Sequence, residues 1–83
     1  MTAGNLLKAC RERAGMSQVK LALLLNRTQS SISKLEKDHN PVDIDTFRDW
    51  TKATNQIEVG IAFLYGVDPA SILQTIMQVT GVA

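Results

Sequence analysis

Apolar and polar positions alternate along this chain in short helical periods separated by polar turns. Leu6, Leu7, Cys10 and Ala14 recur at helical spacing, with Lys8, Arg11, Glu12 and Arg13 on the other sides, which predicts a helix from about Asn5 to Ala14. Gly15 is placed to end it in the left-handed conformation. Ser17 can cap a second helix, about Gln18 to Leu25, in which Leu21, Ala22 and Leu25 share a face. The core needs only part of this leucine-rich set, so Leu23 or Leu24 is left for partial exposure, a hint of a contact surface. Asn26 tolerates the backbone needed to leave a helix, and Thr28 can cap a third, about Gln29 to Lys37. In that third helix Ile32 and Leu35 point one way, while Gln29, Ser30, Ser33, Lys34 and Lys37 face elsewhere.

Asp38-His39-Asn40-Pro41 reads as a turn with proline as the breaker. Asp43 then caps a fourth helix to about Thr54, where Ile44, Phe47, Trp50 and Ala53 repeat at three-residue steps. That face is needed to cover the first three helices, so Trp50 is expected in the core. From Gln56 to Leu64 the alternation of Ile57, Val59 and Ile61 permits a strand, but length, helical surroundings and Ala62-Phe63-Leu64 favour a fifth helix. Gly66 breaks the chain, and Asp68-Pro69 is a good helix start. A sixth helix is expected from Pro69 to about Val79, with Ile72, Leu73, Ile76 and Met77 as its stripe. No charged residue occurs from Pro69 to Ala83, which is unusual for an exposed helix. It either packs on its own core or lies in a subunit interface.

At 83 residues and 45% apolar, the chain is expected to form one small domain. A single cysteine rules out an internal disulfide framework and fits a reducing cytoplasm. Cys10 lies on an apolar stripe and reads as a small buried hydrophobe. Neither a secretory signal nor an apolar run of membrane-spanning length is seen, so a cytoplasmic location is expected, with no membrane partner. The net charge of +1 conceals an uneven distribution. Residues 1–37 carry seven Lys or Arg against Glu12 and Glu36, a net of +5; residues 38–83 carry a net of −4. A basic half that also holds a polar helix face is what attraction to phosphate needs. With one histidine, one cysteine, no metal-spaced cluster and no phosphate-cradling glycine run, the chain does not read as an enzyme, and no cofactor or metal is expected.

Two helices joined by a turn as short as Asn26-Arg27 must cross steeply, the helix-turn-helix geometry. The short polar and basic side chains of the second of them suit a DNA major groove. Gly15-Met16-Ser17-Gln18, Leu21-Ala22 and Thr28-Gln29-Ser30-Ser31-Ile32-Ser33-Lys34-Leu35-Glu36 closely resemble the Cro/CI-type (Xre-like) helix-turn-helix family of phage and bacterial regulators. The likeness runs from about residue 6 to 54, through Pro41, Ile44 and Phe47. It departs at Asn26 and Asp38, where glycine is common, and at Arg27, where an apolar residue is usual.

The resemblance implies an all-α, five-helix lambda-repressor-like DNA-binding domain, here with an added C-terminal helix. Residues 1–67 would be the core, and 68–83 a dimerisation helix packed on the same domain. It implies a transcriptional regulator, a repressor in the family's pattern, reading operator half-sites in double-stranded DNA as a homodimer. Base contacts would come from Thr28, Gln29, Ser30 and Lys34. Gln suits adenine, and Lys suits guanine O6 and N7. Phosphate contacts would come from Gln18, Ser31, Lys37, His39 and Asn40 and the backbone that follows. Glu36 sits in the last turn of a helix, where its charge opposes the macrodipole. In the resembled family an arginine of the first helix pairs with this glutamate, and Arg11 matches its position, so the two are read as a structural ion pair. The dimer interface would use Phe63, Tyr65, Ile72, Leu73, Ile76 and Met77. A second reading stands beside this one: a protein-interaction module on the same fold, an antitoxin or accessory factor whose partner is another regulatory protein.

Overall fold

Trp50, fully buried, donates its indole N–H to the carbonyl of Leu7 at 2.9 Å and so ties the fourth helix to the first at the centre of the molecule. The structure is a computed structural model that describes residues 2–66. Over that span it consists of five α-helices and no strand: α1 Ala3–Arg13, α2 Gln18–Leu24, α3 Gln29–Glu36, α4 Ile44–Ala53 and α5 Ile57–Tyr65. α1 packs on α3 and α4, α2 on α3 and α4, and α5 on α4. The shared core is Leu6, Leu7, Cys10, Leu21, Ala22, Ile32, Leu35, Phe47 and Trp50. Each large aliphatic side chain fully withdrawn from water contributes about 1.5–3 kcal/mol, and Leu7, Leu21 and Ile32 are fully buried.

The boundaries of α1 to α4 follow from side-chain caps at their starts and backbone closures at their ends. Thr2, Ser17, Thr28 and Asp43 accept the backbone N–H three residues on, from Asn5, Lys20, Ser31 and Thr46. Those bonds satisfy donors that the first helical turn leaves free. At the other ends of α1 to α4, Gly15, Asn26, Asp38 and Asn55 take φ of 70°, 55°, 59° and 58°. The next N–H then reaches five residues back: Met16 to Arg11, Arg27 to Ala22, His39 to Lys34 and Gln56 to Thr51, at 2.8–3.1 Å. This is the Schellman closure, and it lets each helix stop abruptly and the chain change direction. Three of the four left-handed positions are Asn or Asp, the side chains that bear this conformation best after glycine.

The structure departs from the sequence-based expectations in several places. α1 starts two residues before Asn5, because Thr2 caps it and the Asp38 carboxylate accepts the Gly4 N–H at 3.0 Å. Ala14 is exposed at the end of α1 instead of continuing its stripe. Ile44 is 64% exposed, since α4 turns only Phe47, Trp50 and part of Ala53 toward the core. The exposure expected at Leu23 or Leu24 is found at both, because Leu21 and Ala22 with part of Leu25 already fill the space under α2. The strand permitted at Ile57–Ile61 does not form: that stretch lies within α5. The expected sixth helix, with Ile72, Leu73, Ile76 and Met77, lies outside the described residues.

Candidate nucleic-acid interface

α3 has two chemically different sides. Ile32, Leu35 and Glu36 are buried, while Gln29, Ser30 and Lys34 are exposed and Ser33 is half-buried. Thr28, the N-cap, and Lys37, the C-cap, are exposed at its two ends. The outward face therefore carries hydroxyl, amide and ammonium groups on short or flexible stems and no bulky apolar side chain. α2 crosses behind it and brings Gln18, at its own first turn, alongside Gln29.

The support for this face is a buried polar network. Arg11 donates Nε to Glu36 Oε2 at 2.6 Å and Nη2 to Glu36 Oε1 at 3.1 Å, with side chains 11% and 3% exposed. Its third donor, Nη1, reaches the carbonyl of Met16 at 2.8 Å and thereby also holds the turn between α1 and α2. The hydrogen bond to Glu36, ahead of its charge, raises the pKa of Arg11 against the opposing effect of burial. A bidentate fork of this kind is the strongest side-chain pairing that a buried carboxylate can make. Gln18 completes the set by donating Nε2 to Glu36 Oε1 at 3.0 Å, and its own Oε1 lies 3.4 Å from Gln29 Nε2. No buried side-chain nitrogen or oxygen among the described residues lacks a partner.

α1 can approach the end of α3 because Gly4 has no side chain. A Cβ there would stand 2.5 Å from the carbonyl oxygen of Leu35 and 2.8 Å from that of Glu36. Asp38 closes the same contact by accepting from Thr2 Oγ1 at 2.6 Å as well as from the Gly4 N–H. Arg27 closes the opposite end of α3. It donates to Ser31 Oγ at 3.1 Å and to Thr46 Oγ1 at 2.6 Å, linking the α2–α3 turn to α4. Neither Asp38 nor Arg27 stood out in the sequence as a structural residue. The signal available was their departure from the family pattern, a carboxylate and a guanidinium where glycine and an apolar residue are usual.

The remaining expected contact residues fall as follows. Ser31 is half-buried with its hydroxyl taken by Arg27. The backbone N–H of His39 is donated to Lys34, so any phosphate contact from His39 falls to its exposed side chain. Asn40 is exposed beside it. A polar recess of about 260 Å³ opens between α1 and α3, lined by Asn5, Lys8, Gln18, Ser33, Glu36 and Lys37. It brings Lys8, which the sequence did not single out, to the same side as Gln18 and Lys37. On the far side of the molecule Phe63 is half-buried and stacks on Phe47, ring centroids 6.0 Å apart, whereas Tyr65 is exposed. Cys10 is fully enclosed, and burial pushes its thiol pKa up. Among the described residues no group of three His, Cys, Asp or Glu could hold a metal ion, and no helix is long and apolar enough to cross a membrane.

A helix-turn-helix family model matches residues 7–60. The chain is also 34% identical over 71 residues to the HTH-type transcriptional regulator ImmR of Bacillus subtilis (strain 168), an alignment covering 86% of this chain and 54% of that protein. The chain thus spans about half the length of that relative. No solved structure gives a match.

Proposed function

The chain belongs to the helix-turn-helix family, in its Cro/CI-type branch, and on that premise we propose that it is a sequence-specific DNA-binding regulator of transcription, a repressor, that lays α3 in the major groove. One observation carries the reading: α3 is clamped at both ends and along its inner face, yet its outer face is wholly polar, with Thr28, Gln29, Ser30 and Lys34 exposed. A rigid helix with a short polar face can approach base edges closely, which a helix with large apolar side chains outward cannot do. Lys37, Lys8, His39 and Asn40 flank that face and are suited to phosphate. The relative's name, a transcriptional regulator, agrees with this function.

Selection of bound duplexes from a random-sequence pool is the test. A repressor enriches one or a few related sites, and its affinity falls steeply as salt rises. Binding that is salt-sensitive but enriches no sequence would overturn base reading. Indifference to duplex DNA would move the function to a protein-interaction module on the same fold. Exposed Val19, Leu23 and Leu24 along α2 are the observation that favours this second reading.

A regulator of this kind reads two half-sites, and we assign dimerisation to the side away from α3. There Ile44, Ile57 and Leu64 are exposed along an apolar groove of about 200 Å³ between α4 and α5, and Tyr65 is exposed at the end of α5. Residues 68–83 follow directly in the sequence from this side.

A further inference from the structure

Glu36, paired with Arg11, offers its neighbours hydrogen-bond acceptors only. Of the two ends of the Gln18 amide, only the nitrogen can face an acceptor. Gln18 therefore turns Nε2 to Glu36 Oε1, at 3.0 Å, and its oxygen away. That oxygen is again an acceptor, so the Gln29 amide must meet it with its nitrogen, and Nε2 does so at 3.4 Å. Nothing intrinsic to a surface glutamine favours one face of its amide over the other. Here the choice is dictated from the buried end of a chain of four side chains: Arg11, Glu36, Gln18, Gln29.

The polarity has a chemical consequence at the exposed end. With one N–H directed at Gln18, Gln29 keeps its carbonyl oxygen and one N–H for an outside partner. That acceptor–donor pair matches the N6 amino group and N7 of adenine. Turned over, the same amide would offer only N–H groups outward, which suit the two acceptors of guanine, O6 and N7. We propose that Glu36 is a positioning residue for base selection: through Gln18 it sets the amide polarity of Gln29 and so selects adenine over guanine at the base pair that Gln29 meets. The proposal rests on the DNA-reading function above, and it gives Gln18 a part in reading beyond a phosphate contact.

The test replaces the ion pair by a neutral pair, Arg11→Met with Glu36→Gln, in the full chain. Replacing both members by uncharged residues of similar volume leaves no charge buried without its partner. The Gln introduced at 36 offers a donor as well as an acceptor and no longer dictates which way Gln18 turns. Selection from random duplexes should then show the adenine-over-guanine preference at one base pair falling by about fivefold or more, the discrimination that a bidentate contact supplies. Preferences at the other positions and affinity for non-specific duplex should hold. Should the double variant fail to fold, Gln18→Met, at a half-buried position, should lose the same preference. An adenine preference that survives in these variants overturns the relay while leaving DNA reading intact; a wild type that enriches no sequence overturns the reading function itself. Side-chain amide resonances of the free protein give a readout without DNA. Those of Gln29 should shift in both variants, and unmoved resonances overturn the relay whatever the DNA result.

Discussion

At the scale of single residues, the exposed face of α3 and its support respond to mutation in different ways. Gln29→Ala or Lys34→Ala removes a group aimed outward, and each should cost about 1–3 kcal/mol at the preferred site and relax preference at one base pair. Lys37→Ala should weaken every sequence alike and lower the slope of log affinity against log salt by about 1. Titrations of one preferred and one scrambled duplex at several salt concentrations separate the two patterns. Equal, sequence-independent losses in all three variants would show that α3 holds DNA without reading it. Arg11 belongs to a third class. Arg11→Met leaves the Glu36 carboxylate buried without its partner, and breaking such a pair costs about 3–5 kcal/mol, a large share of what holds a domain of this size folded. Its melting temperature should drop sharply, and adding Glu36→Gln should restore most of it. Unchanged melting of Arg11→Met would contradict a structural role for the pair.

At the scale of elements, α1 to α4 are delimited by caps at their ends, and those ends carry measurable stability. The Thr46 hydroxyl, then the Thr46 backbone N–H, hold the Asp43 carboxyl below the usual carboxylate range. A carboxyl whose pKa is lower in the folded state than in the unfolded one stabilises the fold fully above the unfolded value, and that stability is lost as pH falls through the folded value. Denaturant melts across the acid range should therefore show a loss that Asp43→Asn, which can still cap but does not titrate, lacks. A wild type and variant with identical pH profiles would remove Asp43 from the acid transition. Asn55 closes α4 at φ 58°. Asn55→Gly relieves that backbone cost but adds freedom to the unfolded chain, so a net gain of up to about 1 kcal/mol is expected from chemical denaturation. Destabilisation would show that the asparagine side chain contributes more than its backbone costs.

At the scale of the whole molecule, five helices already enclose a core in which every buried polar side-chain atom among the described residues is satisfied. In the dimer proposed above, association would fall to residues 69–83. A chain ended after Asp68 should stay folded, sediment as a monomer, and bind its selected site far more weakly while keeping non-specific affinity. Reading two half-sites about one DNA turn apart needs two rigidly joined copies of α3. A full-length chain that is monomeric at tens of micromolar, alone and with DNA, would remove the dimer. Weight would then pass to the exposed apolar residues of α2 as a surface for another protein.

The sequence determined the number, type and order of the five described helices, because their ends are written in local chemistry. Ser17, Thr28 and Asp43 cap, Gly15 and Asn26 leave the helix, and apolar residues recur at helical spacing between them. It also determined which side of α3 is inward, since Ile32 and Leu35 define that side by period alone. What periodicity cannot tell is how much of an apolar stripe the neighbouring helices have room to cover. Leu24, three residues from Leu21, and Ile44, three from Phe47, have the spacing of core residues and lie in solvent because Leu21, Ala22, Phe47 and Trp50 already occupy the interior. Only the tertiary structure decided the partnerships across long separations in sequence. Asp38 with Thr2 and Gly4, Arg27 with Thr46, and Gln18 between Glu36 and Gln29 are each set by the crossing of two helices. A crossing angle is a property of the packed core, and no residue encodes it alone.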